Sequence, residues 1–164
     1  MNISEYLHFD PKDTALREKN LETILSYLSC KGDARLERWK YFTEDGQGGY
    51  TGPGKYDNFD FTEDGVPGHE GLRGSDAWNC KFFPDFEFDD LKVMQTQDPN
   101  YYVVMSTGKG YIDFPAYGKK PYSNYFIHSF VMEDGKIKRY REHMNFCKVY
   151  HTLGIDLPQI EFPH

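Results

Sequence analysis

The stretch FIHSFVMEDGKIKRYREHMNFC, residues 126 to 147, constrains this chain more than any other. Two arms rich in β-branched and aromatic residues flank Asp134-Gly135, the strongest short-range signal for a two-residue hairpin. Side chains on a strand alternate between faces. Glu142 therefore shares a side with Tyr140 and Met144, while Arg139, Arg141 and His143 share the other. Pairing Glu133 with Lys136 across the turn sets Glu142 opposite Ile127, Tyr140 opposite Ser129 and Met144 opposite Tyr125. A carboxylate in such company is either a tuned acid or a sign that this register is wrong. An ion pair with Arg38 or Lys138 is the ordinary alternative. His128 falls on the face of Phe126, Phe130 and Arg141, where a hydrogen-bonded structural histidine is expected.

The length of 164 residues suits a single domain, 1–164, with one core. A net charge of −7 argues against a nucleic-acid groove, which needs a clustered basic face. No apolar run approaches the roughly 20 residues of a membrane span. MNISEYLHFD lacks the basic start and apolar stretch of a signal peptide. Cys30, Cys80 and Cys147 are odd in number and widely spaced, which fits reduced thiols in a cytoplasmic protein. His69 and Glu70 are adjacent rather than at helical spacing, so no metal pair is expected there. The load of 13 Tyr and 13 Phe fits either an aromatic core or an apolar pocket with polar handles.

Asp10-Pro11 opens a first helix, whose apolar positions Leu21, Ile24, Leu25 and Leu28 recur at helical spacing and which Gly32 should close. Asp33 should cap a second, short helix, ARLERWKYF. Within it Arg38 falls between Tyr41 and Phe42, as a snorkelling side chain or an anion receptor facing a cavity. Residues 43 to 67, rich in Gly, Pro and Asp and with FTEDG at 42–46 and 61–65, read as a long loop or irregular hairpin. GHEGLRGSDAWNCKFF reads as a third helix. One face carries Leu72, Ser75, Asp76, Asn79 and Phe83, and another carries Trp78 and Phe82. Either could face the core. From Pro84 the pattern is strand-like through DFEFDD, a turn at Asp98-Pro99-Asn100, YYVVMSTGKGYIDF and the hairpin. NFCKVYHTLGI makes a short last helix ending at Gly154, and the tail DLPQIEFPH is extended by its prolines. Helices before a run of antiparallel strands give an α+β fold with helices on one face. A strongly curved sheet closed by those helices would enclose a pocket.

FTEDGQGG, WNCKFFPDFEF, TQDPN, NYFIHSF, EDGKIKR, REHMN and LGIDLPQI, in this order, resemble the phenazine biosynthesis PhzA/PhzB family. That resemblance implies the NTF2-like, or SnoaL-like, α+β cone and a homodimer, or a heterodimer with a homologue. It implies a small-molecule enzyme needing neither metal nor organic cofactor. Its substrate would be an amino-cyclohexenone carboxylic acid. Two such molecules condense, amine onto ketone, toward a phenazine precursor. Loss of water requires a general acid with a raised pKa. Glu142 matches the family's catalytic glutamate. Arg38 matches an arginine that contacts the substrate carboxylate. Tyr122 matches a pocket tyrosine, although a regular hairpin would put it on the face opposite Glu142, so either a bulge lies near Ser123-Asn124 or Tyr122 is not the matching residue. Trp78 and the Phe83-Pro84-Asp85 corner match the family's helix end. Ser75 stands where active members carry a catalytic histidine, and Asn79 where they carry a serine. Serine does not titrate near neutrality, so Asp76 or His69 would have to compensate. The chain is thus a condensing enzyme, a catalytically weak ligand-binding paralogue, or an NTF2-like isomerase or polyketide cyclase with another substrate.

Overall fold

In a computed structural model, residues 10–51 and 68–157 are described. The second FTEDG and the proline-rich tail lie outside them. The described chain runs through a 3-10 turn Pro11–Asp13, α1 (Thr14–Leu28), a 3-10 helix Gly32–Tyr41, β1 (Phe42–Thr51) and α2 (His69–Phe82). β2 (Glu87–Gln95), β3 (Tyr101–Phe114), β4 (Gly118–Glu133), β5 (Lys136–Met144) and α3 (Phe146–Leu153) follow. The expected α+β order is present. One five-stranded sheet has the order β1-β5-β4-β3-β2, with β1 parallel to β5 and every other pair antiparallel.

The hairpin turn forms at Asp134 and Gly135, both at positive φ (52° and 80°), as a type I′ turn requires. The register beyond it differs from expectation. Glu133 pairs with Lys136, but from Val131 outward the pairing slips by one: Val131 faces Arg139, Phe130 faces Tyr140, His128 faces Glu142 and Phe126 faces Met144. Lys138 is the extra residue, a bulge whose ammonium is held by Asp45 at 2.7 and 2.8 Å and by Glu133 at 3.2 Å. A one-residue slip turns a strand's side chains over. The slip removes the predicted partner Ile127, which lies 46% exposed on the outer face. It gathers Tyr122, Asn124, Phe126, His128, Phe130, Tyr140 and Glu142 on the inner one. His128 thus faces Glu142 rather than sharing a face with Arg141.

Three other elements depart from the sequence expectation. Gly32, at φ 53°, does not close α1, which ends at Leu28; it opens the 3-10 helix. Asp33 lies inside that helix, whose N-cap is Lys31. Residues 42–51 form a strand rather than a loop, because their glycines allow close packing. A Cβ at Gly46 would sit 2.9 Å from the Phe42 Cβ and 3.0 Å from the Ile137 carbonyl oxygen.

α1 crosses the inner face of the sheet through Ile24, Tyr27 and Leu28, packed with Phe42, Tyr102, Phe130 and Ile137. Its buried Arg17 donates to the carbonyls of Thr96 and Gln97, and Asn20 to that of Pro99, which fixes the helix to the β2–β3 turn. α3, capped by Asn145 and closed by Gly154 at φ 77°, packs Val149 and Leu153 against Ile112, Tyr122 and Phe126. Between these two clusters the inner face stays uncovered by α1 and α3. α2 and the 3-10 helix arch over that gap. Among the described residues no helix is long and apolar enough to cross a membrane.

Candidate active site

The gap is a cavity of about 180 Å³ that opens to solvent. It exceeds slightly the roughly 150 Å³ apolar cavity known to take up benzene, so one substituted six-membered ring fits. Its walls are mostly aromatic: Phe83, Phe86, Phe88, Phe114 and Phe126 surround Tyr122, with Phe86 stacked on the Tyr122 ring at 5.8 Å. Glu142, Arg38, Tyr122, Ser75, Asp76, Asn79 and Trp78 all line it. The bulge at Lys138, not one near Ser123-Asn124, where β4 pairs regularly with β3, is what brings Tyr122 and Glu142 to one side. On α2 the polar face Ser75, Asp76 and Asn79 turns inward with Leu72, while Trp78 stays 39% exposed at the rim.

Glu142 keeps 17% of its side-chain surface, within the cavity. Burial pushes its carboxyl above the ordinary glutamate value, against the Tyr140 hydrogen bond and the guanidinium groups of Arg38 and Arg35. It is ion-paired with neither Arg38 nor Lys138, which bind other carboxylates. Instead it ends a buried chain. Tyr140 Oη donates to Glu142 Oε2 at 2.7 Å. His128 Nδ1 lies 2.8 Å from Tyr140 Oη, and Ser106 Oγ 2.8 Å from His128 Nε2. His128 is fully buried, and its pKa falls to about 3, burial being the main cause, so it is neutral. With the Tyr140 proton committed to Glu142, the consistent arrangement is His128 Nδ1–H donating to Tyr140 and Ser106 donating to Nε2. Every member is satisfied, so Glu142 is held in one orientation.

Arg38 is buried rather than snorkelling. Its Nε and Nη2 donate to one Asp76 oxygen at 3.1 and 2.9 Å, and its Cζ lies 5.1 Å from the centre of the Tyr27 ring. Burial pushes the Asp76 carboxyl up, while Arg38 pulls it back. Asp76 is therefore committed to Arg38 and is a poor substitute for a missing histidine. His69 is no substitute either. Its Nε2 lies 3.1 Å from the Phe42 carbonyl oxygen and its ring rests against Trp39, outside the cavity lining. Ser75 touches Asn79 loosely, at 3.5 Å. Tyr122 accepts from Asn124 Nδ2 at 2.7 Å, and burial raises its phenol to about 12, so it stays protonated. Among the described residues no three His, Cys, Asp or Glu side chains cluster as a metal site would need.

Sequence reasoning did not single out Arg35, Ser106 or Asn124, and it gave His128 only a structural role. Arg35 had a signal: a 3-10 helix eclipses residues three apart, so Arg35 and Arg38 face the same cavity. The roles of His128 and Ser106 depend on the bulge, which no residue type announces.

Comparison with known proteins bears on the family and the fold. The family model for phenazine biosynthesis protein A/B matches residues 5–163. The chain is 42% identical over 150 residues to phenazine biosynthesis protein PhzB 2 of Pseudomonas aeruginosa, covering 89% of this chain and 87% of that one. It is 42% identical over 153 residues to PhzB of Pseudomonas fluorescens, covering 91% and 89%. The crystal structure of the P. aeruginosa phenazine biosynthesis-related protein phzb2 superposes with a TM-score of 0.79 at 41% identity, over 92% of this chain and 95% of that one. A SnoaL-like protein from Jannaschia sp. CCS1, 16% identical, shares the fold with a TM-score of 0.64 over 92% and 99%. A match across nearly the whole chain, with relatives above 40% identity and a common NTF2-like fold, means that this chain belongs to the phenazine biosynthesis A/B family.

Proposed function

We propose that the chain acts in phenazine biosynthesis as a condensing enzyme for an amino-cyclohexenone carboxylic acid, with Glu142 as general acid. The observation that supports this most is a glutamate held by Tyr140 inside an aromatic cavity that raises its pKa. The amine of one molecule adds to the ketone of another to give a carbinolamine. Glu142 protonates the leaving hydroxyl, water departs and a protonated imine forms. The carboxylate so produced regains a proton from the adduct. The ring in the cavity packs on Phe86 and Tyr122, its carboxylate lies on the arginine-bearing wall, and the second molecule enters by the opening.

The assay is conversion of the amino-cyclohexenone acid by wild type and by Glu142→Gln, followed as product formation. Glu142→Gln should lose catalysis, by about 10²–10⁴-fold, the usual worth of one positioned acid, while melting normally. Equal turnover in the two proteins would remove Glu142 from the reaction. Ser75 favours a second reading, a ligand-binding paralogue with weak activity. In that case wild type and Glu142→Gln both bind the acid, and wild type converts it only slowly.

A further inference from the structure

We propose that Tyr27 donates its hydroxyl hydrogen to the ketone oxygen of the ring held in this cavity. The proposal deepens the reading above and rests on it for the ketone. Tyr27 is only 4% exposed and lines the cavity. Tyr102, Tyr122 and Tyr140 are buried to a similar extent, and each hydroxyl has a hydrogen-bond partner: the Arg17 backbone carbonyl, Asn124 and Glu142 respectively. The Tyr27 hydroxyl has none among the described residues. It is not sealed into the protein either, since its oxygen keeps surface and the side chain borders the cavity. A phenylalanine would pack as well, and leaving a buried donor without a partner is costly. The hydroxyl is accounted for once a ligand brings an acceptor.

Position and chemistry both fit a ketone. Tyr41, Phe42, Phe130 and Tyr140 meet the Tyr27 ring edge-on at 5.1 to 6.3 Å, and the Arg38 guanidinium lies 5.1 Å from its centre. The donor is thus fixed in place before any ligand enters. Tyr140, the nearest of those rings, holds Glu142 on its own hydroxyl, which sets Tyr27 beside the proposed acid. Burial raises the Tyr27 phenol well above its ordinary pKa, with Arg38 opposing and Asp76 and Glu142 reinforcing the rise, so it remains a donor across the neutral range. When an amine nitrogen bonds to the ketone carbon, the C=O π pair moves onto the oxygen. A donor aimed there stabilises that charge until the ammonium proton reaches the oxygen and gives the carbinolamine. Tyr27 keeps its own proton throughout.

Calorimetric binding of 3-oxocyclohexane carboxylate and of 3-methylidenecyclohexane carboxylate, the same shape without the acceptor oxygen, tests this without turnover. Neither has an amine, so neither condenses. A failed condensation assay therefore leaves this result standing, and the reverse. Wild type should bind the ketone more tightly than the methylidene analogue. Tyr27→Phe should lose about 3–10-fold in ketone affinity, the net worth of one hydrogen bond, with the analogue unchanged within about twofold. Infrared spectra of the ketone, labelled with carbon-13 at the carbonyl, give a readout that a packing role would not move. Its stretch should lie at lower frequency on wild type than on Tyr27→Phe. Equal frequencies overturn the proposal, as does a ketone-to-analogue affinity ratio that Tyr27→Phe leaves unchanged; the hydroxyl then serves water alone. A wild type without preference for the ketone overturns it too. Should Tyr27→Phe fail to fold, wild-type crystals soaked in the keto acid decide. The ketone oxygen is expected roughly 2.5–3.0 Å from Tyr27 Oη, and a ketone oxygen held elsewhere contradicts the proposal.

Discussion

Glu142 and Asp76 are both buried carboxyl groups in one cavity, yet they serve different ends because their neighbours differ. Asp76 faces a guanidinium at 2.9 Å and is a structural anion. Removing either partner of such a pair leaves an unpaired charge and costs about 3–5 kcal/mol. Glu142 accepts from a phenol, with a neutral imidazole behind it. Proton transfer needs a group able to change charge, which favours Glu142 over Asp76 for the proposed role of acid. Ser75 adds nothing that titrates near neutrality. Ser75→His should then raise turnover by about 10²-fold or more, read as kcat for the amino-cyclohexenone acid. No gain would mean that the cavity serves another substrate.

At the scale of elements, the bulge in β5 decides the site. Lys138→Ala should change stability by less than about 1 kcal/mol, since the ion pairs to Asp45 and Glu133 are largely exposed. Deleting Lys138 should instead restore regular pairing, turn Glu142 and Tyr140 outward and destroy cooperative folding, as read by urea denaturation. A deletion variant that melts like wild type would show that the register does not depend on the extra residue. The same bulge marks the limit of sequence reading. Asp134-Gly135 and Gly154 at the end of α3 follow from local chemistry and were legible, whereas the sequence left open which face of α2 turns inward. Lys138 carries no such signature, because tertiary contacts with β1 create the bulge. β1 itself was hidden because Gly46 and Gly48 look like a loop until Phe42 and Leu72 are seen to need their space.

For the whole molecule, two buried groups should tilt stability against pH in opposite directions. His128 has a folded pKa of about 3 against an ordinary 6.5. The unfolded chain binds the extra proton between those values, so stability is fully present above about pH 6.5 and is lost as pH falls toward 3. At 1.36 kcal/mol per unit this amounts to about 5 kcal/mol at most. Glu142, raised above its ordinary 4.5, acts the other way: its contribution is present below 4.5 and is lost as pH rises through its folded value. Urea titrations of wild type and His128→Gln from pH 7 to pH 4 should show the acid-side loss in wild type and a much flatter profile in the variant. Parallel profiles would place the acid sensitivity elsewhere.

A water-poor cavity that keeps Glu142 protonated is the claim on which the mechanism depends. Carbon-13 NMR of the glutamate side-chain carboxyls, with Glu142→Gln used to assign the Glu142 resonance, measures it directly. The account predicts a midpoint for Glu142 clearly above 4.5. A Glu142 midpoint at or below 4.5 would contradict it.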